Sequence, residues 1–597
     1  MAKNRKKAAS ADSDIPAAPR ELIVVANPGD AIRAQRGGSN VASAVEADVS
    51  SIASVLSKTG ARMRPLFDDT EDRVIQAQAT AMAEASSKAG DDAGFLPDLS
   101  LYYAVDAADD DLDDLVSQFT KSSNVQAAYI KPPTYFAQAE LQEESLDFDG
   151  AVPLDFNAMT ALEGEAPAVT PDFTARQGYL DPAPGGVDAR YAWTQPGGRG
   201  RNVRVIDIEG AWNFNHEDMR QNQGGVLGTP TNDLGWRNHG TAVCGVIGGD
   251  VNKIGITGIS PDAHCRGISI FGGKGSARAI REAADLSRPG DIILIELHRP
   301  GPNANGSGQF GFIALEWWPD DYAAIRYASS KGVIVVEAAG NGSQNLDDPV
   351  YDRRPANFPS DWSNPFRRGN RDSGAVVVGA GAPPEGTHGR RHGPDRSRLG
   401  FSNYGALIDA QGWGREVTTT GYGDLQGGNE NLWYTDRFSG TSSASPFIVA
   451  ALACVQGTLR AKARIPLTPA RARNLLRRTG TPQQDAPGRP RTQRIGRRPN
   501  LRQLIPLAHR NHERIGVQFT GRIPANQTRR WFTHSWPAHW HVLWSVVPTN
   551  PRRGGPQVRW DVAIERSTDA HVTYFITITN LTDEEVCIEG RYAILGY

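Results

Sequence analysis

One serine motif has the residue types of a nucleophilic hydrolytic site. Ser442 lies in a Gly-Thr-Ser turn directly before the small and apolar run 447–455, which predicts a buried helix. At the N-terminus of a helix, free backbone N–H groups and the helix dipole favour developing negative charge. A single motif of this kind is usually just a helix N-cap. A catalytic interpretation therefore depends on partners elsewhere in the chain.

Three upstream residues could be those partners. Asp207 ends the apolar run 203–206, which predicts a buried strand whose terminal carboxylate can orient a histidine. His239 precedes a second run of small residues, which predicts another buried helix. Asn341 lies in a glycine-rich turn after the strand-like run 333–336, where its amide can donate to an oxyanion. Together with Ser442, these residues predict acyl transfer through a covalent intermediate.

The order Asp, His, Ser resembles that of the subtilisin-like (S8) serine peptidases. The resemblance covers residues 186–505 and rests on Val205-Ile206-Asp207, His239-Gly240-Thr241, Ala339-Gly340-Asn341 and Gly440-Thr441-Ser442-Ser443-Ala444-Ser445-Pro446. It implies a serine endopeptidase that acts on proteins or peptides without a cofactor in the chemistry. In that mechanism Ser442 attacks, His239 transfers the proton and Asp207 orients the imidazole. The Asn341 side chain and the Ser442 backbone N–H bind the oxyanion.

The segment after Asp207 departs from the family pattern. The family usually follows its aspartate with Ser-Gly or Thr-Gly, whereas this chain has Ile208-Glu209-Gly210. If the turn points inward, Glu209 adds a second carboxylate near Asp207. We therefore expect an altered pH profile, with every catalytic group still present.

The resemblance also implies two strands that bind the substrate. An extended peptide would pair with both of them, and the residues expected to form them are Glu296, Leu297 and His298 on one side and Ala338, Ala339 and Gly340 on the other. Glu296 and His298 replace small residues of the family, so the shapes of the subsites differ here.

The loop around Asn252, thirteen residues after His239, resembles the calcium loop of the family. Asn252 would offer a side-chain oxygen and Asp218 a carboxylate, while Asp250, Ile254 and Ile256 would offer backbone carbonyls. Calcium takes six to eight oxygen ligands, so this set is incomplete. The expected ion would be structural.

Composition changes along the chain predict several parts. We expect a disordered tail at 1–20, a propeptide- or inhibitor-like domain at 21–135 and a linker at 136–185. They are followed by the peptidase domain at 186–505 and a β-sandwich accessory domain at 512–597. The order βαββαβ in 21–135, with a helix expected from Val41 to Leu56, indicates a ferredoxin-like α+β unit. It would be an intramolecular inhibitor or an unrelated module of the same fold. The expected fold of the peptidase domain is α/β: a three-layer, subtilisin-like parallel sheet with helices on both faces.

Composition narrows the class of partner and the compartment. The net charge of −3 and the sequence pI of about 6.5 argue against nucleic-acid binding. No apolar run approaches the roughly 20 residues that span a membrane. The basic N-terminus has no apolar segment after it, so it does not resemble a secretory signal. The four cysteines lack metal-ligand spacing and fit a reducing compartment. We expect a cytoplasmic protein, with non-standard export as the alternative.

Two other functions remain open at this level. One is a binding protein, in which the N-terminal domain keeps a subtilisin-like scaffold permanently shut and the C-terminal domain docks a partner. The other is an esterase that uses the same three residues, although two strands for pairing with a peptide argue against it. If the chain is a zymogen, its processing bond should lie between 135 and 185.

Overall fold

The computed structural model describes residues 17–34, 37–67, 70–76, 97–138, 166–462, 464, 466–510, 514–538, 540–550, 555–566 and 571–595. The predicted tail at 1–20 and linker at 136–185 therefore lie largely or partly outside the described residues. The described residues form an N-terminal α+β domain, a central α/β domain and a C-terminal all-β domain. This arrangement confirms the predicted fold class.

The N-terminal domain has the predicted ferredoxin-like order. Its four main strands form an antiparallel sheet in the order β4-β5-β1-β6, with two helices between them. The elements are β1 (Glu21–Ala26), β2 (Ile32–Ala34), β3 (Val41–Ser43), helix Ser50–Thr59, β4 (Arg62–Pro65), β5 (Tyr102–Asp106), helix Leu112–Phe119 and β6 (Val125–Lys131). The first helix was predicted too early, because Val41–Ser43 pairs with Ile32–Ala34 as a small hairpin.

The two faces of this sheet bury different neighbours, as alternation along a strand requires. Leu22, Val24 and Tyr103 pack against the helices of the N-terminal domain. Ile23 and Tyr129 face the other way and join a hydrophobic cluster of the central domain. The N-terminal domain is therefore docked on the central domain through the outer face of its sheet.

A buried cluster of charges lies in this interface. Lys131, at the end of β6, is fully buried, and its Nζ lies 2.5 Å from Asp320 and 3.3 Å from Asp321. Glu21 lies 3.4 Å from the same Nζ and 3.3 Å from the buried Arg299 guanidinium. Asp320 and Asp321 occupy the first turn of helix Pro319–Ser330, where the helix dipole favours acidic residues. The cluster joins the two domains by ion pairs that water cannot screen.

The central domain is built on a seven-stranded parallel sheet in the order β16-β15-β14-β11-β8-β10-β9. Its strands are β8 (Arg204–Glu209), β9 (Gln223–Leu227), β10 (His264–Ser269), β11 (Ile292–Ile295), β14 (Ile334–Ala338), β15 (Val376–Gly381) and β16 (Ala410–Trp413). Four shorter strands lie outside it: β7 (Tyr135–Phe136), β12 (Leu297–Pro300) and β13 (Phe312–Ala314) in one sheet, and β17 (Val417–Thr420) with β18 (Tyr434–Phe438) in another.

Helices cover both faces of the parallel sheet. Leu234–Gly248 and Thr441–Ala461 bury their apolar residues on one face, and Ser276–Leu286 and Pro319–Ser330 do so on the other. The remaining helices of the domain are Ala189–Trp193, Pro469–Arg478 and Leu501–Ala508. Helix Thr441–Ala461 is long and apolar enough to cross a membrane, but its apolar window is completely buried in the protein. It is the core helix of this domain.

Part of the predicted linker belongs to the central domain. The Phe173 N–H donates a hydrogen bond of 2.7 Å to the Gly255 carbonyl oxygen, and Tyr179 and Leu180 are fully buried in the core. The proline and alanine content of this segment suggested a linker. Its few aromatic residues instead fill gaps in the core between helices, and isolated residues of this kind form no periodic pattern that a sequence could show.

The C-terminal domain consists of two three-stranded antiparallel sheets, β19-β24-β21 and β20-β23-β22. The strands are β19 (Arg514–Ile523), β20 (Thr528–Pro537), β21 (Val542–Pro548), β22 (Val558–Arg566), β23 (His571–Asn580) and β24 (Val586–Ile594). Their facing sides enclose one core, in which Trp536 packs edge-on to Trp544 at 5.2 Å. The predicted sandwich is thus present.

Candidate active site

Ser442 lies where the predicted helix begins. Gly440 precedes this helix with φ of 106° and ψ of −179°, a conformation that is accessible essentially to glycine alone. Helix Thr441–Ala461 then starts, so the Ser442 backbone N–H is one of the free donors of its first turn. Ser442 is completely buried, and its Oγ has no hydrogen-bond partner among the described residues.

His239 lies within helix Leu234–Gly248, whose N-cap Asp233 accepts a hydrogen bond from the Trp236 N–H. The next residue, Gly240, lets this helix approach the segment after β8. A Cβ at Gly240 would lie only 2.4 Å from the Ala211 carbonyl oxygen. The close approach brings the imidazole to the carboxyl end of β8, where parallel α/β sheets place their ligand sites.

The carboxylate that contacts the imidazole is Glu209, not Asp207. The Nδ1 atom of His239 lies 2.8 Å from Oε2 of Glu209, and both side chains are fully buried. The predicted bond between His239 and Asp207 is thus replaced by one to the residue two positions further along β8. Because β8 continues to Glu209, alternation puts both carboxyl groups on the same face, and the second reaches the histidine.

Asp207 lies behind Glu209. Its Oδ2 accepts a hydrogen bond of 2.8 Å from the Trp212 indole N–H. Oδ1 of Asp207 and Oε1 of Glu209 have no N–H or O–H donor among the described residues. Burial raises the pKa of both carboxyl groups, and the charge of Glu209 raises the pKa of Asp207 further. The two carboxyl groups also interact with each other, so a proton shared between them would serve both of these oxygens.

Asn341 is tied to the serine turn. Its Oδ1 accepts hydrogen bonds from the Thr441 backbone N–H at 2.9 Å and from the Thr441 hydroxyl at 2.8 Å. Its Nδ2 donates to Gln309 Oε1 at 3.1 Å. The predicted oxyanion donor is therefore next to Ser442, with one of its two amide hydrogens directed to Gln309.

The N-terminal domain continues into the cleft beside these residues. Strand β7 pairs antiparallel with β12, with Phe136 opposite Leu297 and Tyr135 opposite His298. The Ala137 N–H donates to the Glu296 carbonyl oxygen at 3.1 Å. The predicted strand of Glu296, Leu297 and His298 thus pairs with an extended segment of this same chain.

The second predicted substrate strand has other partners in this structure. The Ala339 N–H donates to the Val378 carbonyl, and the Gly340 carbonyl accepts from the Asn403 N–H. Ala338 is the last residue of β14 in the parallel sheet. Strand β12 pairs with β7 on one side and with β13 on the other, so β14 is not its neighbour in that sheet. The prediction that Ala338, Ala339 and Gly340 pair with a bound peptide is therefore wrong for segment 135–137, which pairs with β12.

Comparison with known proteins places this site in a family. Residues 185–496, just over half of the chain, match the profile of the subtilase family. The chain belongs to the subtilase family. This subtilase is 27% identical to Subtilisin Savinase from Lederbergia lenta over 265 residues, which is 43% of this chain and 77% of the relative. The alkaline protease of Alkalihalobacillus alcalophilus is also 27% identical, and the match spans 54% of that relative, about half its length.

One solved structure matches this chain with lower sequence identity. The patellamide maturation protease PatA shares 22% identity with this subtilase, with a TM-score of 0.36 over 52% of this chain and 97% of the PatA chain.

The loop predicted to bind calcium does not fit that ion in this arrangement. Asp218 accepts hydrogen bonds from the Asn252 amide and from the Ile256 backbone N–H, each at 2.6 Å. The Asn252 side-chain oxygen accepts from the Ile254 N–H, and the Asp250 carboxylate accepts from two backbone N–H groups. Burial raises the pKa of Asp218 to about 8. Protein donors thus occupy the two predicted side-chain ligands, the Asp218 carboxylate and the Asn252 amide oxygen. No metal-binding cluster of three His, Cys, Asp or Glu side chains occurs in the described part of this subtilase.

Two functional residues were missed or misjudged from the sequence. Glu209 was recognised only as an extra charge, although strand alternation with Asp207 was a usable signal. Gln309 was not identified, because it comes from a loop without any motif and reaches Asn341 through the fold alone.

Proposed function

We propose that this subtilase is a serine endopeptidase, made as a precursor whose N-terminal domain inhibits it. The observation that supports this most directly is an extended segment of the chain, residues 135–137, paired with β12 beside Ser442 and His239. A peptide added to an exposed strand is a general mode of peptide recognition. An esterase needs no such strand, so the pairing favours peptide bonds as the substrate.

In the proposed mechanism Ser442 Oγ attacks the scissile carbonyl, and His239 Nε2 takes its proton. Glu209 accepts a hydrogen bond from His239 Nδ1–H, which fixes the tautomer that leaves Nε2 free as a base. Glu209 also stabilises the imidazolium that forms during attack. His239 then gives the proton to the leaving amine, and water hydrolyses the acyl-enzyme by the same steps in reverse order.

The oxyanion would be bound by the Ser442 backbone N–H and by the Asn341 amide. The N-terminus of helix Thr441–Ala461 adds a favourable field at this point. The backbone N–H and the hydroxyl of Thr441 both donate to the side-chain oxygen of Asn341. The amide nitrogen of Asn341 therefore points away from the backbone of the turn that holds Ser442. In the closed precursor this nitrogen donates to Gln309, and we propose that its second hydrogen serves the oxyanion.

Inhibition by the N-terminal domain rests on two sets of contacts. Segment 135–137 occupies the β12 edge that a substrate would use, and the buried cluster around Lys131 holds the domain on the enzyme. His239 and Ser442 are both completely buried under it. A precursor of this form cannot bind an external protein until the segment leaves.

The test is hydrolysis of a denatured protein substrate by the full-length chain, with fluorophosphonate labelling measured in parallel over time. Wild type and the exposed-serine control Ser307→Ala should gain activity and label on Ser442, whereas Ser442→Ala should do neither. Ser307 is an exposed residue of the loop between β12 and β13, so it controls for the loss of a hydroxyl alone. A wild-type chain that neither labels nor hydrolyses the substrate would mean that the chain is a binding protein with a shut cleft.

A further inference from the structure

The segment in the cleft presents one particular peptide bond to Ser442. The carbonyl oxygen of Ala137 accepts a hydrogen bond of 3.2 Å from the Ser442 backbone N–H. In serine peptidases the N–H of the nucleophile is a donor to the oxyanion, so the carbonyl it contacts is the one under attack. The bond that follows this carbonyl joins Ala137 to Gln138.

We propose that Ala137–Gln138 is the bond at which the protein cleaves itself. This proposal rests on the proposed function and adds to it the position of the cut. Ser442 Oγ adds to the Ala137 carbonyl carbon while its proton passes to His239 Nε2. The bond between the Ala137 carbon and the Gln138 nitrogen then breaks, and the proton leaves on the Gln138 amine. Water hydrolyses the Ala137 ester, which restores Ser442 and leaves an Ala137 carboxylate.

Backbone contacts fix the register of this segment on the side before the bond. The Ala137 N–H donates to the Glu296 carbonyl, and Phe136 and Tyr135 pair with Leu297 and His298. A shift by one residue would reverse the direction of every side chain in the strand. The pairing therefore selects Ala137 among its neighbours.

Side chains fix the register on both sides of the bond. Phe136 is 2% exposed, stacks on the His239 imidazole at 4.4 Å between ring centroids and meets Trp236 edge-on at 4.9 Å. Beyond the bond, Gln138 Oε1 accepts a hydrogen bond of 2.7 Å from the Tyr422 hydroxyl. A slip in either direction would remove the aromatic contact and the glutamine contact together.

These contacts also describe a class of substrate. The pocket beside His239 is lined by aromatic rings and holds a phenylalanine, and the position that follows it holds a fully buried alanine. External substrates should accordingly be favoured when an aromatic residue and then a small residue precede the scissile bond. A peptide with the sequence Thr-Tyr-Phe-Ala-Gln, copied from residues 134–138, is the probe of this preference.

The experiment incubates the purified full-length chain and identifies its fragments by intact mass and by the mass of the new C-terminal peptide. The C-terminal side is the better readout, because an N-terminal glutamine cyclises and blocks sequencing from that end. We expect a fragment that ends at Ala137 from wild type and none from Ser442→Ala. Phe136→Ala should slow the cut about tenfold or more through the lost aromatic burial. The control Phe532→Ala, at an exposed site of the C-terminal domain, should leave the rate unchanged.

The outcomes separate this inference from the proposed function. A cut that depends on Ser442 but falls at another bond overturns the inference and leaves the peptidase in place. An intact wild-type chain also overturns it. Hydrolysis of the Thr-Tyr-Phe-Ala-Gln peptide by the full-length Lys131→Met variant, whose docking cluster is weakened, then decides the proposed function separately. If wild type and Phe136→Ala are cut at the same rate, the proposed preference for an aromatic residue is refuted, whereas the proposed position of the cut is unaffected.

Discussion

Replacing each of the two carboxyl groups at the end of β8 tests which one supports the catalytic base. Glu209→Gln keeps the size of the side chain but substitutes an amide that can donate to His239 Nδ1. The imidazole would then carry its proton on Nε2, facing Ser442, where it cannot act as a base. Loss of the orienting carboxylate from a catalytic triad lowers turnover on the order of 10⁴-fold, or about 5.5 kcal/mol in activation free energy.

Asp207→Asn should have a much smaller effect. Asp207 accepts from the Trp212 indole N–H and, in its protonated form, donates to Glu209. An asparagine can make both contacts with one oxygen and one N–H. We therefore expect its rate to stay within about tenfold of wild type, since one neutral hydrogen bond has been exchanged for another.

The assay is the first-order rate of self-cleavage, followed by intact mass from minutes to days, with the melting temperature of each variant as a check of folding. Glu337→Gln is a matched control, because Glu337 is another fully buried carboxyl group of the central domain, its pKa is also raised by burial, and its Oε1 accepts from the Glu316 backbone N–H and not from a site residue. If Asp207→Asn falls by about 10⁴ and Glu209→Gln remains active, the predicted Asp207 triad is right and the assignment of Glu209 is refuted.

Three further predictions follow from the same contacts. Asn341→Ala should lower kcat of the cleaved enzyme on a peptide substrate by about 10²–10³-fold with little change in KM, because the donor acts mainly on the oxyanion; an equal loss expressed only in KM would contradict this role. Self-cleavage should slow as pH falls, with a midpoint above the usual pKa of a glutamate, because burial raises the pKa of Glu209 and only its ionised form can orient His239; a pH–rate profile that is flat down to the usual pKa would argue against it. Lys131→Met should weaken binding of the cleaved N-terminal domain by about 3 kcal/mol, roughly two orders of magnitude in Kd, since Asp320 and Asp321 would stay buried with only Arg299, 3.6 Å from Asp321, as a cation partner. Size-exclusion chromatography of diluted complexes measures this loss, and the exposed Lys121→Met is its control.

The sequence was sufficient for the features that depend on local pattern. The buried strand before Asp207 and the small-residue helices after His239 and Ser442 are present, because each motif carries its own periodicity. The ferredoxin-like order of the N-terminal domain followed in the same way. What the sequence did not predict depends on contacts between distant segments. The choice of Glu209 over Asp207 is decided by how closely Gly240 lets one helix approach β8.

The calcium loop and the linker show the same limit. A loop of the right length near Asp218 predicted calcium ligands, yet N–H groups of the protein donate to the side-chain oxygens of Asp218 and Asn252. Residues 166–185 have the composition of a linker, and only the folded core reveals that Tyr179 fills a buried position within it. Composition describes how a segment behaves alone, and it cannot report which apolar gaps exist elsewhere in the protein.

Cleavage and release of the N-terminal domain must be separate events in this architecture. The bond Ala137–Gln138 lies on the far side of the paired segment, so cutting it removes no contact between the N-terminal domain and the enzyme. Lys131 is anchored in the buried cluster only a few residues before Tyr135, and Pro132-Pro133 between them restrict the connecting chain. A product held this closely has a high effective concentration at its own cleft and rebinds faster than a free peptide. The rate at which activity appears should therefore follow removal or degradation of the docked domain, and the Lys131→Met variant should shorten the delay between the cut and the first hydrolysis of an external substrate.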